Sequence, residues 1–144
     1  MREKVLPVIS RELKLEPDKE SRGIVIQGIQ YSRILGDNKI SDIVIQTISP
    51  KKERGNHYHL RKTEWFIPLR GRAKLIWYDN ADPEKQLRTE VMDGDSLFKN
   101  PRIFEVKPDT CHLVKNEEDE DFLMLALVNI FDIEDMHKCT IRPS

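Results

Sequence analysis

Short apolar runs rich in β-branched residues alternate with turn-forming residues along most of the chain. Turn residues such as Asp93-Gly94-Asp95 and Pro108-Asp109 separate the runs. The runs lie at residues 23–30, 43–49, 64–69, 73–78, 103–106 and 122–131. Because no window shows the 3.6-residue period of an amphipathic helix, this pattern predicts an all-β sandwich or barrel.

Three further segments refine this prediction. Residues 122–128 form the longest apolar run and are expected to be a strand that is buried on both faces. The acidic residues 117–121 that precede it are expected to form a solvated hairpin loop. Residues 1–22 are polar and interrupted by Pro7 and Pro17, which predicts an irregular N-terminal arm with room for one short strand. Residues 23–144 then form the single barrel domain.

Composition excludes several classes of protein. The chain has 144 residues, the size of one domain, and its 24 basic and 25 acidic side chains give a net charge of −1. That balance argues against binding to nucleic acid or to a membrane surface. No stretch reaches the roughly 18 apolar residues of a membrane span, and residues 1–14 lack the apolar core of a signal peptide. The two cysteines, Cys111 and Cys139, are predicted to be free thiols in a reducing compartment, which indicates a cytoplasmic protein.

The chemistry of the chain is concentrated in one segment. Residues two apart on a strand face the same way, so His57 and His59 are expected to project from one face with Tyr58 on the other. Glu64 follows after a four-residue turn and begins the next strand. Two imidazoles and a carboxylate on neighbouring strands suit a divalent first-row metal ion with open positions.

A fourth ligand is available from a second segment. His112 follows a turn containing Pro108 at the start of a strand, which would aim its imidazole into a barrel from another wall. His137 and Cys139 also lie two residues apart, but a lone pair near the end of a chain is seldom a metal site. The predicted metal ligands are therefore His57, His59, Glu64 and His112. The alternatives are polar residues on a solvent face, or a barrel that keeps these residues without a metal.

These residues carry a resemblance to a known family. The spacing His57-x-His59, four residues, Glu64, six residues, Gly71 is similar to the first motif of the cupin superfamily. The segment from Asp93-Gly94-Asp95 through His112 resembles the second motif. Asp109 stands where that motif usually has glycine, and aspartate tolerates a left-handed turn. The resemblance implies a double-stranded β-helix jelly roll, the cupin barrel.

A narrower resemblance implies a reaction. Residues 54–59 and 62–64, Arg-Gly-Asn-His-Tyr-His and Lys-Thr-Glu, look like the C-terminal cupin domain of the bifunctional UDP-sugar epimerase/reductases of capsular polysaccharide synthesis. Residues 128–132 resemble its last strand and ending. That domain holds zinc and epimerises a UDP-linked 4-keto-6-deoxy sugar. The chain lacks a Gly-x-Gly-x-x-Gly dinucleotide motif, so the expectation is a free-standing epimerase or isomerase. Zinc is the expected ion, with iron, manganese or nickel as alternatives.

Epimerisation beside a ketone needs groups that move protons. A base must remove the proton on the carbon next to the ketone, and an acid must return one from the other face. The candidates are Tyr31, Lys74 and Tyr78, and the sequence does not rank them. Tyr58 alternates out of phase with the two histidines, so it is the least suited to face the barrel interior.

Basic residues crowd around the first motif. Arg54, Arg61 and Lys62 lie nearest to the predicted ligands and are candidates for binding the diphosphate of a nucleotide sugar, since arginine forks suit phosphate oxygens. The alternative is that these charges belong to a solvated loop. Such a basic rim favours a phosphorylated ligand over the small neutral substrate of an iron-dependent cupin dioxygenase. It does not distinguish an enzyme from a non-catalytic sugar-binding cupin.

The strand after the first motif suggests an additional contact surface. Trp65, Ile67 and Leu69 alternate with Glu64, Phe66 and Pro68, so both faces are apolar. One face would line the barrel, and the other would contact a second sheet or a second subunit. Because jelly-roll cupins are commonly dimers, the resemblance implies a homodimer.

Overall fold

Strands are the main secondary structure of the described residues. The computed structural model describes residues 6–17, 20–27 and 35–142. The strands in these ranges are β1 Val8–Glu12, β2 Lys14–Pro17, β3 Ile24–Gln27, β4 Asp42–Ile48, β5 Glu53–Tyr58, β6 Glu64–Arg70, β7 Arg72–Asp79, β8 Arg88–Asp93, β9 Arg102–Val106, β10 Thr110–Lys115, β11 Phe122–Val128 and β12 His137–Lys138. A 3₁₀ turn, Gly94–Ser96, follows β8.

Two five-stranded antiparallel sheets build the barrel. One has the order β1-β9-β6-β11-β4 and the other the order β12-β5-β10-β7-β8, while β2 and β3 pair separately. Apart from β7 and β8, neighbouring strands within each five-stranded sheet are not consecutive in sequence, as in a jelly roll. Residues from both sheets, including Phe66, Trp77, Phe104 and Met124, form one buried cluster between them. The predicted all-β jelly roll is therefore confirmed.

Alternation along each strand decides which residues reach the interior. On β7, Leu75 and Trp77 join the cluster between the sheets, whereas Ile76 and Tyr78 pack on the opposite face. The long apolar strand β11 is covered on both faces, as expected for residues 122–128. The acidic residues 117–121 connect β10 to β11 in an exposed loop, as predicted.

Around β6, the outer face of the first sheet is covered by the chain itself. Trp65 and Ile67 are buried in a cluster with Leu13, and Ile26 packs against the same cluster. Their burial therefore does not require a second subunit, and the homodimer stays a prediction. Residues 1–22, predicted as an irregular arm, contribute β1 to the edge of this sheet through its pairing with β9.

The prediction of free thiols is wrong. Cys111 on β10 and Cys139 after β12 form a disulfide, with 6.2 Å between their Cα atoms. Both strands flank β5, and Cys139 is held there by a hydrogen bond from its backbone N–H to the carbonyl of Asn56, at 3.0 Å. The sequence could not show this proximity, because 28 residues separate the two cysteines. The cysteines therefore no longer support a reducing compartment, and a cytoplasmic location stays a prediction.

Within the three described ranges, no helix has the length and apolar character needed to cross a membrane.

Candidate metal centre

Three strands and one connection bring four potential metal ligands together in the barrel. His57 on β5 pairs directly with His112 on β10, so both imidazoles project from one face of the sheet. Glu64 begins β6 in the facing sheet, and His59 lies in the connection between β5 and β6. The ligand atoms of these four residues all lie within 4.8 Å of one another. The structure thus unites the four residues that the sequence predicted as ligands.

A bulge in β5 sets the direction of His57. Gly55 pairs with Leu113 and His57 pairs with His112, so Asn56 is an extra residue in the ladder. Gly55 and Asn56 both have positive φ values, 123° and 59°. A Cβ on Gly55 would lie 2.6 Å from the carbonyl oxygen of His112, so only glycine allows the two strands to approach this closely.

The centre of the cluster lacks hydrogen-bond partners. The Nε2 atoms of His59 and His112 lie 3.1 and 3.2 Å from Oε1 of Glu64. Nevertheless, His59 Nε2 and Glu64 Oε1 are buried and make no well-oriented hydrogen bond with any described residue. Unpaired buried polar atoms are costly, and a cation between them would satisfy both.

In His59 and His112, a hydrogen bond at Nδ1 leaves Nε2 as the nitrogen that faces the centre of the cluster. The Nδ1 atom of His59 lies 2.5 Å from the backbone oxygen of Asp135, and that of His112 lies 3.0 Å from the backbone oxygen of Thr110. A carbonyl oxygen only accepts hydrogen bonds, so each Nδ1 donates and Nε2 is the nitrogen that can offer a lone pair to a metal. This outer contact is the usual arrangement for a histidine that binds a metal.

The protonation of the cluster reflects the crowding of its groups. Burial alone would raise the pKa of Glu64, but contacts from His112 and His59 lower it well below its ordinary value. Burial would lower the pKa of His112, but its contact with Glu64 outweighs burial and raises it. Burial and the neighbouring His112 lower the pKa of His57 to about 4. The cluster therefore combines a carboxylate with a neutral His57 at pH 7.

The donor set fits a divalent cation. Three imidazole nitrogens and one carboxylate oxygen are ligands that zinc and other first-row divalent ions prefer. The two unpaired buried atoms face each other where an ion would sit, and the outer contacts of His59 and His112 orient their free nitrogens. The four residues could thus hold one metal ion.

A cavity connects the cluster to the surface. Its volume is about 360 Å³, and its walls include the apolar side chains of Val44, Phe66 and Met124. Arg54 and Lys62 also line it. Phe131 and Met136, which are largely exposed, contribute to its outer part. A small molecule with an anionic end could therefore contact Arg54 and Lys62 while its other end approaches the histidine cluster.

Sequence reasoning missed Asp135, which supports the turn between β5 and β6. This carboxylate is buried and accepts hydrogen bonds from the backbone N–H groups of Leu60, Arg61 and Lys62, at 2.8, 3.0 and 3.2 Å. Its own backbone oxygen is the partner of His59. No motif spacing marks Asp135, because 73 to 75 residues separate it from the backbone groups that it binds in the turn.

The other predicted site residues lie in different places. Lys74 and Tyr78 lie on the face of β7 opposite Leu75 and Trp77, so the structure does not bring them to the cluster. Lys74 contacts Glu117 on the surface at 3.1 Å. Their predicted catalytic role stays a prediction that this geometry does not support. Tyr31 lies outside the described residues.

Two of the three candidate phosphate-binding residues lie at the cavity, and the third does not. Arg54 and Lys62 line the cavity, whereas Arg61 pairs with Asp132 and does not line it. Tyr58 faces away from the cluster, as expected, and stacks on His137 with 5.1 Å between the ring centroids. His137 is not part of the cluster, in agreement with the sequence interpretation.

Comparison with known proteins gives a family and a fold. Residues 19–138 match the model of the family described as polysaccharide biosynthesis C-terminal domain. No curated protein matches the chain. A dTDP sugar isomerase from Desulfovibrio desulfuricans G20 superposes with a TM-score of 0.76 at 16% identity, over 96% of this chain and 88% of that chain.

Two further solved structures share the fold. QdtA, a sugar 3,4-ketoisomerase from Thermoanaerobacterium thermosaccharolyticum in complex with TDP, matches with a TM-score of 0.72 at 16% identity, over 92% of this chain and 88% of that chain. The capsular polysaccharide assembling protein CapF from Staphylococcus aureus matches with a TM-score of 0.63 at 20% identity, over 90% of this chain but 33% of CapF. At these identities the likeness establishes the fold.

Proposed function

Because the chain belongs to the polysaccharide biosynthesis C-terminal domain family, we propose that it is a metal-binding cupin that epimerises or isomerises a nucleotide-linked 4-keto-6-deoxy sugar. The observation that carries this proposal is the cavity that joins the histidine cluster to two cationic residues. A keto sugar linked to a diphosphate fits this arrangement, because its ketone can approach the histidine cluster while its phosphate groups contact Arg54 and Lys62.

The roles of the cluster follow from its contacts. His57, His59, Glu64 and His112 hold one divalent ion, for which zinc is our first choice because the donor set is three nitrogens and one oxygen. When bound, such an ion supplies Lewis-acid polarisation of a carbonyl oxygen. Asp135 keeps His59 oriented, and the apolar walls exclude water from the reacting carbon.

Proton transfer needs a residue outside the ligand set. Among the described residues that line the cavity beyond the cluster, only Arg54 and Lys62 carry ionisable side chains. An arginine is effectively always protonated, so Lys62 is the better acid or base. Tyr31, which the sequence also suggested, stays a prediction for the same role.

The solved relatives support the substrate class. The proteins described as a dTDP sugar isomerase and as a 3,4-ketoisomerase with bound TDP share this fold and act on or bind thymidine diphosphate compounds. In this chain Arg54 would contact the diphosphate, since its guanidinium suits phosphate oxygens. Arg61 contributes less, because its side chain is paired with Asp132.

Exchange of hydrogen beside the ketone tests the proposal most sensitively, because it needs only the first proton removal. The metal-loaded protein is incubated with dTDP- and UDP-linked 4-keto-6-deoxy sugars in heavy water, and deuterium on the carbon beside the ketone is measured by mass spectrometry. We expect exchange in the wild-type protein and in His137→Ala, and a loss of at least tenfold in Lys62→Ala.

Binding provides the companion measurement. Calorimetry should detect UDP or dTDP, with affinity that falls as salt rises, because the contact with Arg54 is a screened charge interaction. The absence of both exchange and nucleotide binding would contradict the proposal. Oxygen consumption with bound Fe(II) would then indicate a dioxygenase, and sugar binding without turnover would indicate a non-catalytic cupin.

A further inference from the structure

A second concave site lies on the other side of the sheet that carries His57 and His112. This groove has a volume of about 550 Å³, and we call it the outer groove. Its lining includes Tyr58, Tyr78, Lys85, Lys138 and Arg142. Tyr78 packs with Ile76 and Leu113 on the sheet face that points away from the barrel interior. The groove is therefore separate from the cavity of the metal centre.

The lining of the outer groove is positively charged. It contains two lysines and one arginine and no aspartate or glutamate among the described residues. Three aspartates near the groove accept other hydrogen bonds: Asp79 from the backbone of Ala81, Asp82 from the backbone of Glu84 and Gln86, and Asp109 from the side chain of Asn80. Cations that converge without a carboxylate repel one another and favour a bound anion.

Two tyrosine rings line the groove and make contacts that hold its side chains in place. Lys85 Nζ lies 5.6 Å from the centroid of the Tyr78 ring, so this ammonium group is placed over an aromatic face. The Tyr58 ring is fixed by stacking on His137. The disulfide between Cys111 and Cys139 ties the segment that carries Arg142 to β10. Two cations are thus presented from different elements, Lys85 from the β7–β8 connection and Arg142 from the C-terminal segment.

We propose that the outer groove binds a diphosphate group. The volume is in the range of small-molecule sites, roughly 300–1,000 Å³. An arginine fork matches two phosphate oxygens and a lysine adds a point charge, so adjacent phosphates suit this lining better than a single carboxylate. The site is independent of the proposed reaction, because Arg54 and Lys62 do not line the outer groove.

Amide NMR spectra of the full chain provide a test that reports location. The probes are inorganic pyrophosphate, UDP and uridine, which separate the diphosphate from the nucleoside as the source of binding. We expect pyrophosphate and UDP, but not uridine, to shift the amide signals of Lys85, Thr140 and Arg142 in a saturable way. Salt should weaken the effect.

Paired variants make the test decisive. In Lys85→Ala, Arg142→Ala the apparent affinity at the outer groove should fall about threefold or more, as expected for two exposed charge contacts. Lys99→Ala, an exposed lysine elsewhere, should leave the affinity unchanged. Arg54→Ala, Lys62→Ala should remove shifts in the barrel and keep those in the groove. The proposal is overturned if pyrophosphate leaves the groove signals unshifted, or if the Lys85, Arg142 double variant responds like the wild type.

Discussion

Removing the carboxylate of Asp135 should affect both the stability of the fold and the metal centre. This side chain is buried and accepts three backbone hydrogen bonds from the turn that joins His59 to Glu64. In Asp135→Ala, the N–H groups of Leu60, Arg61 and Lys62 lose their acceptor together. The turn should then loosen, and His59 should lose its fixed orientation because its own partner is the backbone oxygen of residue 135.

The magnitude follows from the number of bonds. A hydrogen bond to a charged group contributes roughly 1.5–3 kcal/mol. The three bonds share one carboxylate and are not additive, so we expect the free energy of unfolding to fall by about 3 kcal/mol. Removing a hydrogen-bond partner of a metal ligand typically lowers metal affinity by about 10- to 100-fold. We expect Asp135→Ala to lower the metal affinity by a factor in that range.

Two assays separate these effects. Urea unfolding of the metal-free protein measures the contribution of the turn, and a competition titration with a chelator measures metal affinity. Asp132→Asn is the matched control, since it alters a carboxylate of the same segment that pairs with the side chain of Arg61. If Asp135→Ala stayed within about 1 kcal/mol of the wild type and bound metal equally well, the assigned role of Asp135 would be refuted.

Three further predictions concern the cluster itself. Gly55→Ala should lower the free energy of unfolding, measured by urea titration, more than Gly36→Ala does. An added Cβ would lie 2.6 Å from a backbone atom at Gly55 but 4.0 Å from the nearest atom, in a side chain, at Gly36. Equal losses of stability would contradict the close approach of β5 to β10. In metal-free protein, NMR titration should give His57 a pKa of about 4 and His112 a raised pKa. Since folding lowers the pKa of His57, its contribution to stability is complete above about pH 6.5 and is lost as the pH falls towards 4; ordinary values for both histidines would disprove the buried cluster. His112→Gln should weaken metal binding at least tenfold, and an unchanged affinity would reduce the ligand set to three residues.

Local pattern was sufficient for the barrel strands that carry apolar residues. Alternating or continuous apolar runs predicted β4, β6, β7 and β11 close to their observed bounds, because burial between sheets selects those residues. The edge strand β8 was missed. It has a single fully buried side chain, Met92, so its sequence looks like a polar loop.

The candidate site was predictable where its residues are close in sequence or carry a motif. His57, His59 and Glu64 lie within eight residues, and the Pro108 turn marked His112; the left-handed conformation expected at Asp109 is present, with φ of 63°. Tertiary proximity was not predictable. The C-terminal segment crosses the sheet and brings Asp135 to the turn, and it brings Cys139 to Cys111, although no local pattern signals either contact.

The metal content of purified protein tests the central claim most directly. We expect elemental analysis to find about one divalent ion per chain in the wild type and in His137→Ala, because His137 is not part of the cluster. The double variant His57→Ala, His59→Ala should remain folded, as judged by circular dichroism, and should lose the ion. Full occupancy in that double variant, or a wild-type chain that takes up no divalent ion when one is supplied, would contradict the account.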